Sequence, residues 1–286
     1  MKTNLFQYVR AETIAEAVAL RHHLGDGASF LAGGQSLVPT MALRMAAPEV
    51  LIDISAVGEL QQISVQDGTL HIGAGCRYAD VLASSLVAGA APLLARAIPF
   101  IAHEAIRNRG TIGGSLAHAD PASEMPACMM ALDAQIVLRS PGGERRVPAA
   151  AFFPGTYLTA MDEGELLVGV DIPLAAPGVK QRFLEISRRA GDYAITGGAF
   201  VLEFDRNVVR SARLAFFSVS DRPLLAKAAA AALCGQPLSA TSIEEASAIV
   251  AKEIEFFADL YTGVDAKQHI TRTLTQRLLE QFKELE

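Results

Sequence analysis

The sequence predicts a protein of two domains that mixes strands and helices. Three observations predict this class. The chain has 286 residues, half of them apolar, enough for two cores of ordinary size. Two hairpin patterns stand among short helical runs in its first part. After residue 176 the pattern changes to three strand-like runs followed by three helical ones.

Thr13-Ile14-Ala15-Glu16 is a capping box. Ile14, Ala17 and Val18 follow at helical spacing, so a helix is predicted over about 13–24, stopped by Gly25-Asp26-Gly27. "ASFLA" reads as a buried strand running into Gly33-Gly34, and "VLIDIS" (50–55) as another. "QQISVQDGTLHIGA" is a hairpin whose apolar residues alternate on both sides of Asp67-Gly68. From Tyr78 to Ile106 the pattern is mostly helical, broken at Pro92 and Pro99. "AQIVLRS" and "RRV" flank Pro141-Gly142-Gly143 as a second hairpin, and "ELLVGVDIP" (165–173) is a strand closed by Pro173. "AAPG" (175–178) reads as a linker. This places a domain boundary near 176, giving domains 1–176 and 177–286. The second contains the strands "QRFLEISRR", "TGGAFVLEF" and "RSARLAFFSV", then helices over 223–234, 242–257 and 266–285. Leu274, Leu278 and Phe282 form an apolar stripe on the last.

Several functions are disfavoured. A net charge of −6 opposes a nucleic-acid surface, and the pairs Arg107/Arg109 and Arg188/Arg189 are only local clusters. No run reaches the roughly 20 apolar residues of a membrane span. The N-terminal stretch lacks a signal-peptide core, and three cysteines without a C-x-x-C pair fit a reducing compartment, so a cytoplasmic protein is expected. The same cysteines offer no local zinc or iron–sulfur pattern, and the six histidines show no H-E-x-x-H spacing, so no metal ligands are assigned. Gly73-x-Gly75 begins a Rossmann fingerprint, but Tyr78 stands in place of the third glycine and no acidic residue follows at the right distance. No G-x-S-x-G or P-loop motif occurs.

Two segments remain. "FLAGGQSL" (30–37) and "RNRGTIGGSLAHADPASEMP" (107–126) each place a Gly-Gly pair before hydroxyl or amide side chains. Two tight turns would account for the glycines. The functional reading is a pair of backbone N–H nests that bracket one diphosphate, with Gln35, Ser36, Thr111 and Ser115 as added donors.

Together these segments resemble the FAD-binding subunit of the molybdenum hydroxylases, the xanthine oxidase family. "ELLVGVDIP" and "EISRRAGDYAI" extend the resemblance across the chain. It implies an α+β chain: a two-sub-domain FAD-binding fold of the vanillyl-alcohol-oxidase/PCMH type, with its internal boundary near 55–60, followed by a smaller domain of three antiparallel strands and three helices. Phe30, Leu31, Ala32, Gly33, Gly34, Gln35, Ser36 and Leu37 would form the first pyrophosphate loop. Thr111, Ile112, Gly113, Gly114 and Ser115 would form the second, where many relatives carry Asn in place of Ser115. His118, Asp120 and Glu124 would complete it, the last accepting hydrogen bonds from polyol hydroxyls. Ile101 and Leu167 would pack on the cofactor, and Tyr193 would stand near its ring. Relatives of the xanthine dehydrogenase type carry a lysine where this chain reads Phe183-Leu184-Glu185-Ile186.

The implied activity is electron transfer, with FAD on this chain. A large subunit would hold molybdenum-pterin and a small one the [2Fe–2S] clusters, in a dimer of heterotrimers. No catalytic acid or base is assigned, because the protein's part is to place and tune the flavin. The alternatives are a self-sufficient flavin oxidase and a non-enzymatic assembly subunit.

Overall fold

The computed structural model describes residues 2–283. Met1, and residues 284 and 285 of the predicted last helix, lie outside them. The chain opens with β1 (Gln7–Arg10), α1 (Ile14–Leu24), β2 (Ala28–Leu31), α2 (Leu37–Ala42) and β3 (Val50–Asp53). The three strands form a parallel sheet in the order β1-β3-β2, with β3 central and buried. The sequence reading missed β1, a mostly exposed edge strand whose apolar pattern is too weak to read. Thr13 caps α1 by accepting the Glu16 N–H at 3.1 Å. The return bond of the box reaches Glu12 N–H instead of Thr13, at 2.8 Å.

A five-stranded antiparallel sheet follows, built from β4 (Ile63–Gln66), β5 (Thr69–Gly73), β6 (Gln135–Ser140), β7 (Gly143–Pro148) and β8 (Leu166–Pro173). Its order is β4-β5-β8-β6-β7. Asp67 and Gly68 both have positive φ, 49° and 76°, as a two-residue type I′ hairpin requires. The helical stretch after Tyr78 is divided into α3 (Tyr78–Ala83), α4 (Ser85–Ala90), α5 (Pro92–Ala97) and α6 (Glu104–Arg107). Three further helices were not foreseen: α7 (Ile112–His118), α8 (Glu124–Ala131) and α9 (Ala149–Phe152). Every residue of α8 is buried, so it shows no polar face to mark it as helical.

The remainder consists of β9 (Val179–Ser187), β10 (Ala194–Asp205), β11 (Val208–Phe217) and β12 (Leu224–Leu225), then α10 (Lys227–Leu233), α11 (Ala240–Glu253) and α12 (Val264–Glu280). The sheet is antiparallel, β12-β11-β10-β9, with four strands rather than the expected three. Leu224 and Leu225 pair with Phe216 and Ala215, which delays the start of α10 to Lys227. A two-residue strand has no period to detect. The helix expected over 242–257 starts earlier, at the Ser239 capping box, and ends at Glu253.

This sheet is buried on both faces. Phe200, Leu214 and Phe216 share a core with Leu274, Leu278 and Phe282 of the predicted stripe. Phe183, Ala199, Ala215 and Phe217 point the other way into the core of the preceding sheets. Gly197 and Gly198 let both layers approach. A Cβ on Gly197 would stand 2.0 Å from the Phe217 Cζ, and one on Gly198 would stand 2.8 Å from a Leu278 methyl. Gly197→Ala is expected to destabilise the protein by about 1–3 kcal/mol through overpacking, measured by urea denaturation. An unchanged midpoint would show that Phe217 can step aside at no cost.

Candidate cofactor site

The two glycine segments meet. Gly33, at the end of β2, lies against the backbone of the second segment: a Cβ there would be 2.1 Å from Arg109 O and 2.9 Å from Gly110 Cα. Ala32 lies beside Gly114, whose ideal Cβ would be 3.8 Å from the Ala32 methyl. Between them opens a cleft of about 350 Å³, lined by residues 31–35, Val38, Pro39, Asp53, Ser55 and Arg109. The last five were not foreseen as site residues. Arg109 stood within the quoted motif, but its approach to Gly33 is a long-range contact.

The first segment is an open donor row. The backbone N–H groups of Gly33, Gly34, Gln35 and Ser36 engage no acceptor within the described residues. Gly34 turns the chain at φ 72° before α2. The Gln35 side chain does not add its amide to this row; it folds back and donates to Gly33 O at 2.9 Å.

The second segment is not a nest, contrary to the expectation. It is the first turn of α7, and its N–H groups are already engaged. Ile112 N–H donates to Cys76 O (3.1 Å), Gly113 to Ala74 O (2.9 Å) and Ser115 to Thr111 O (3.1 Å). The Thr111 side chain caps the helix by accepting from Gly114 N–H at 3.0 Å. Neither Gly113 nor Gly114 has positive φ. Gly113 is required by proximity, since its Cβ would be 2.4 Å from Ala74 Cβ. The Gly73-x-Gly75 turn is explained similarly: Gly73 packs on Leu60 O, where a Cβ would be 2.3 Å away, so no dinucleotide fingerprint is needed.

Beyond α7 the polar residues form two groups. Ser115 Oγ and Ser123 Oγ are 2.9 Å apart above buried Glu124. Asp120 accepts from Ala122 N–H (2.9 Å) and from the Tyr157 hydroxyl (3.4 Å), and His118 packs on the Tyr157 ring. Tyr193 is 70 % exposed at the same place. The surrounding protein and the Asp120 carboxylate, which its hydroxyl meets, hold the phenol above its usual range. Gly191, in the motif before Tyr193, lies against His103 and Ala102, next to Ile101. Arg107 donates to the carbonyls of Ile101 and Ala102, both at 2.9 Å, and so fixes that turn. Ile101, Ile112 and Leu167 are themselves covered by the core. Phe30, Leu31 and Leu37 are partly buried around the β2–α2 turn.

Glu124 and Glu185 carry different expectations from sequence, and the structure places them in one buried environment. Burial, with the Asp120 charge adding, pushes Glu124 up to about 7. Burial, with Glu124 adding, pushes Glu185 up to about 8, and its Oε2 has no hydrogen-bond partner. Among the described residues no three His, Cys, Asp or Glu side chains gather into a metal site, and no helix is long and apolar enough to cross a membrane.

An open row of four donors, a cleft floored by glycine backbone and adjacent hydroxyls suit a phosphate-bearing cofactor. Comparison with known proteins agrees. Residues 4–175 match the model of the FAD binding domain in molybdopterin dehydrogenase, and residues 181–282 that of the CO dehydrogenase flavoprotein C-terminal domain. The chain belongs to the family of FAD-binding medium subunits of the molybdenum hydroxylases. It is 37 % identical over 274 residues to the carbon monoxide dehydrogenase medium chain of Hydrogenophaga pseudoflava, covering 96 % of each. A chain of the solved carbon monoxide dehydrogenase from that organism superposes with a TM-score of 0.95, at 38 % identity and 98 % coverage of both chains. A chain of quinoline 2-oxidoreductase from Pseudomonas putida 86 superposes with a TM-score of 0.94, at 34 % identity and 98 % coverage of both.

Proposed function

We propose that this chain is the electron-transfer subunit of a multi-subunit molybdenum hydroxylase. It would take electrons from the [2Fe–2S] clusters of a small partner subunit and deliver them to an external acceptor. A large partner subunit with the molybdenum-pterin cofactor would carry out the hydroxylation, in a dimer of heterotrimers. The observation that carries this reading is the open N–H row of Gly33–Ser36 set against Arg109 and Gly110. Bound FAD supplies the chemistry, accepting and releasing electrons. The chain's own residues bind and orient it. The first loop would hold the diphosphate, with Thr111, Gly114 and Ser115 closing the cleft opposite. Ile112, Gly113 and Leu167 would support those residues from behind, and Glu124 would face polyol hydroxyls. Asp120, His118 and Tyr193 would shape the exposed end, where Tyr193 can shield the ring. The free thiols of Cys76, Cys128 and Cys234 support a cytoplasmic place of work.

Purified chain loaded with FAD is the test. Acid precipitation should release all the yellow colour to the supernatant, because none of the residues assigned to the site forms a covalent bond to the flavin. The chemically reduced flavin should be reoxidised by a dye. The chain alone should hydroxylate no N-heterocycle, whereas colour retained in the pellet or unaided hydroxylation would overturn the assignment.

A further inference from the structure

Ser218 stands just beyond β11, buried, with a left-handed φ of 60°. A non-glycine residue keeps that conformation where its surroundings over-determine it. Three bonds do so. Its N–H donates to Pro121 O at 2.8 Å, its hydroxyl donates to Ala194 O at 2.5 Å, and its carbonyl accepts from Lys267 Nζ at 2.8 Å. Lys267 comes from α12 and is only 5 % exposed; Asp259 neutralises it at 2.9 Å.

The partners matter for what they adjoin. Pro121 follows Asp120, and Ala194 follows Tyr193. These two segments are far apart in the chain and share no strand pairing. The chain beyond Ser218 gives a second support to the same cluster: Thr156 Oγ1 donates to Asp221 O at 3.1 Å. Tyr157 N–H in turn donates to Ala119 O at 3.2 Å. Asp120, Tyr157 and Tyr193 are thus each braced, one residue away, by the turn after β11 or by the segment that it braces.

We propose that Ser218, held from behind by Lys267, is a positioning residue that sets where Asp120 and Tyr193 stand, on the side that the proposed function assigns to the flavin ring. Ser218 touches neither cleft nor reacting atoms. Its effect is transmitted through two backbone carbonyls. The consequence for FAD rests on the reading of the cleft as a flavin site; the placement of the tyrosines does not.

Ser218→Gly separates positioning from folding. Glycine accepts the left-handed backbone without strain, so the fold is retained, but the hydroxyl that holds Ala194 is gone. Lys267→Met keeps the apolar stem and removes the donor to Ser218 O. The chain has five tyrosines, so 3-fluorotyrosine labelling gives a resolvable ¹⁹F spectrum of the apoprotein. Both variants should shift or broaden the Tyr193 and Tyr157 signals, assigned by Tyr→Phe substitution, and leave Tyr8 in place. In FAD titrations both should bind at least tenfold more weakly, with an altered visible circular dichroism of the bound flavin. Unmoved Tyr193 and Tyr157 signals in a folded variant would overturn the proposal. If wild type binds no FAD while the tyrosine signals move as expected, the flavin reading fails and the positioning role stands.

Discussion

Gly33→Ala is expected to weaken FAD binding by roughly a hundredfold or more. The added methyl would sit 2.1 Å from Arg109 O and 2.8 Å from Arg109 C. Both are backbone atoms, so no rotamer change can relieve the clash. The two segments must part by about 1.4 Å to restore a contact near 3.5 Å. That shift misplaces the donor row relative to Thr111 and Gly114. Losing two hydrogen bonds to a charged group, at about 1.5–3 kcal/mol each, gives the stated loss. Gly34→Val acts differently, since its φ of 72° strains any side chain and its Cβ would press on Leu31 and Val38 at 3.3 Å. Gly114→Val would meet the capping hydroxyl of Thr111 at 2.9 Å. Gly89→Ala is the control, with open space around its Cβ on α4. FAD titration into each apoprotein, with circular dichroism to verify folding, measures the effect. Near-normal affinity in folded Gly33→Ala would mean that the junction does not hold the cofactor.

Glu185→Gln is expected to stabilise the apoprotein in alkali and to remove much of its pH dependence. Glu185 is 7 % exposed, and Glu124, at 8 %, adds its charge to the same environment. An ordinary glutamate titrates near 4.5, whereas burial raises Glu185 to about 8. Between these values the folded protein holds a proton that the unfolded chain has released. Stability from this group is therefore complete below about pH 4.5 and is lost as pH rises through 8. The amide that replaces the carboxyl has no proton to lose. The variant should gain on the order of 2–4 kcal/mol over wild type at high pH, and much less at pH 5. Glu124→Gln should show the same sign with a lower window, following its value of about 7. Urea denaturation at pH 5 and 9 gives the comparison. An equal difference between wild type and Glu185→Gln at both pH values would show that Glu185 is not buried as a carboxylic acid.

What could be read in the sequence is what depends on neighbours along the chain. Thr13 marks the start of α1 because a hydroxyl beside a free N–H needs only three residues of helix. Asp67-Gly68 marks a hairpin because both positions must take positive φ. Leu274 and Leu278 declare a buried helix face by their spacing alone, and Phe282, just past the end of α12, joins the same core. The glycine segments and the motif before Tyr193 carried the family resemblance, and with it FAD.

The glycines also show where sequence stops. A glycine serves either a left-handed backbone or a close approach, and the letter is the same for both. Of the two Gly-Gly pairs only Gly34 has positive φ; Gly33 and Gly113 are there for proximity, to Arg109 and to Ala74. That difference turned the expected second nest into a capped helix with its donors already engaged. Glu185 and Ser218 carried no role as letters for the same reason. A carboxyl becomes a buried acid, and a serine a three-way brace, only when distant segments close around it. No local period records which segments those are, so only the tertiary structure decided them.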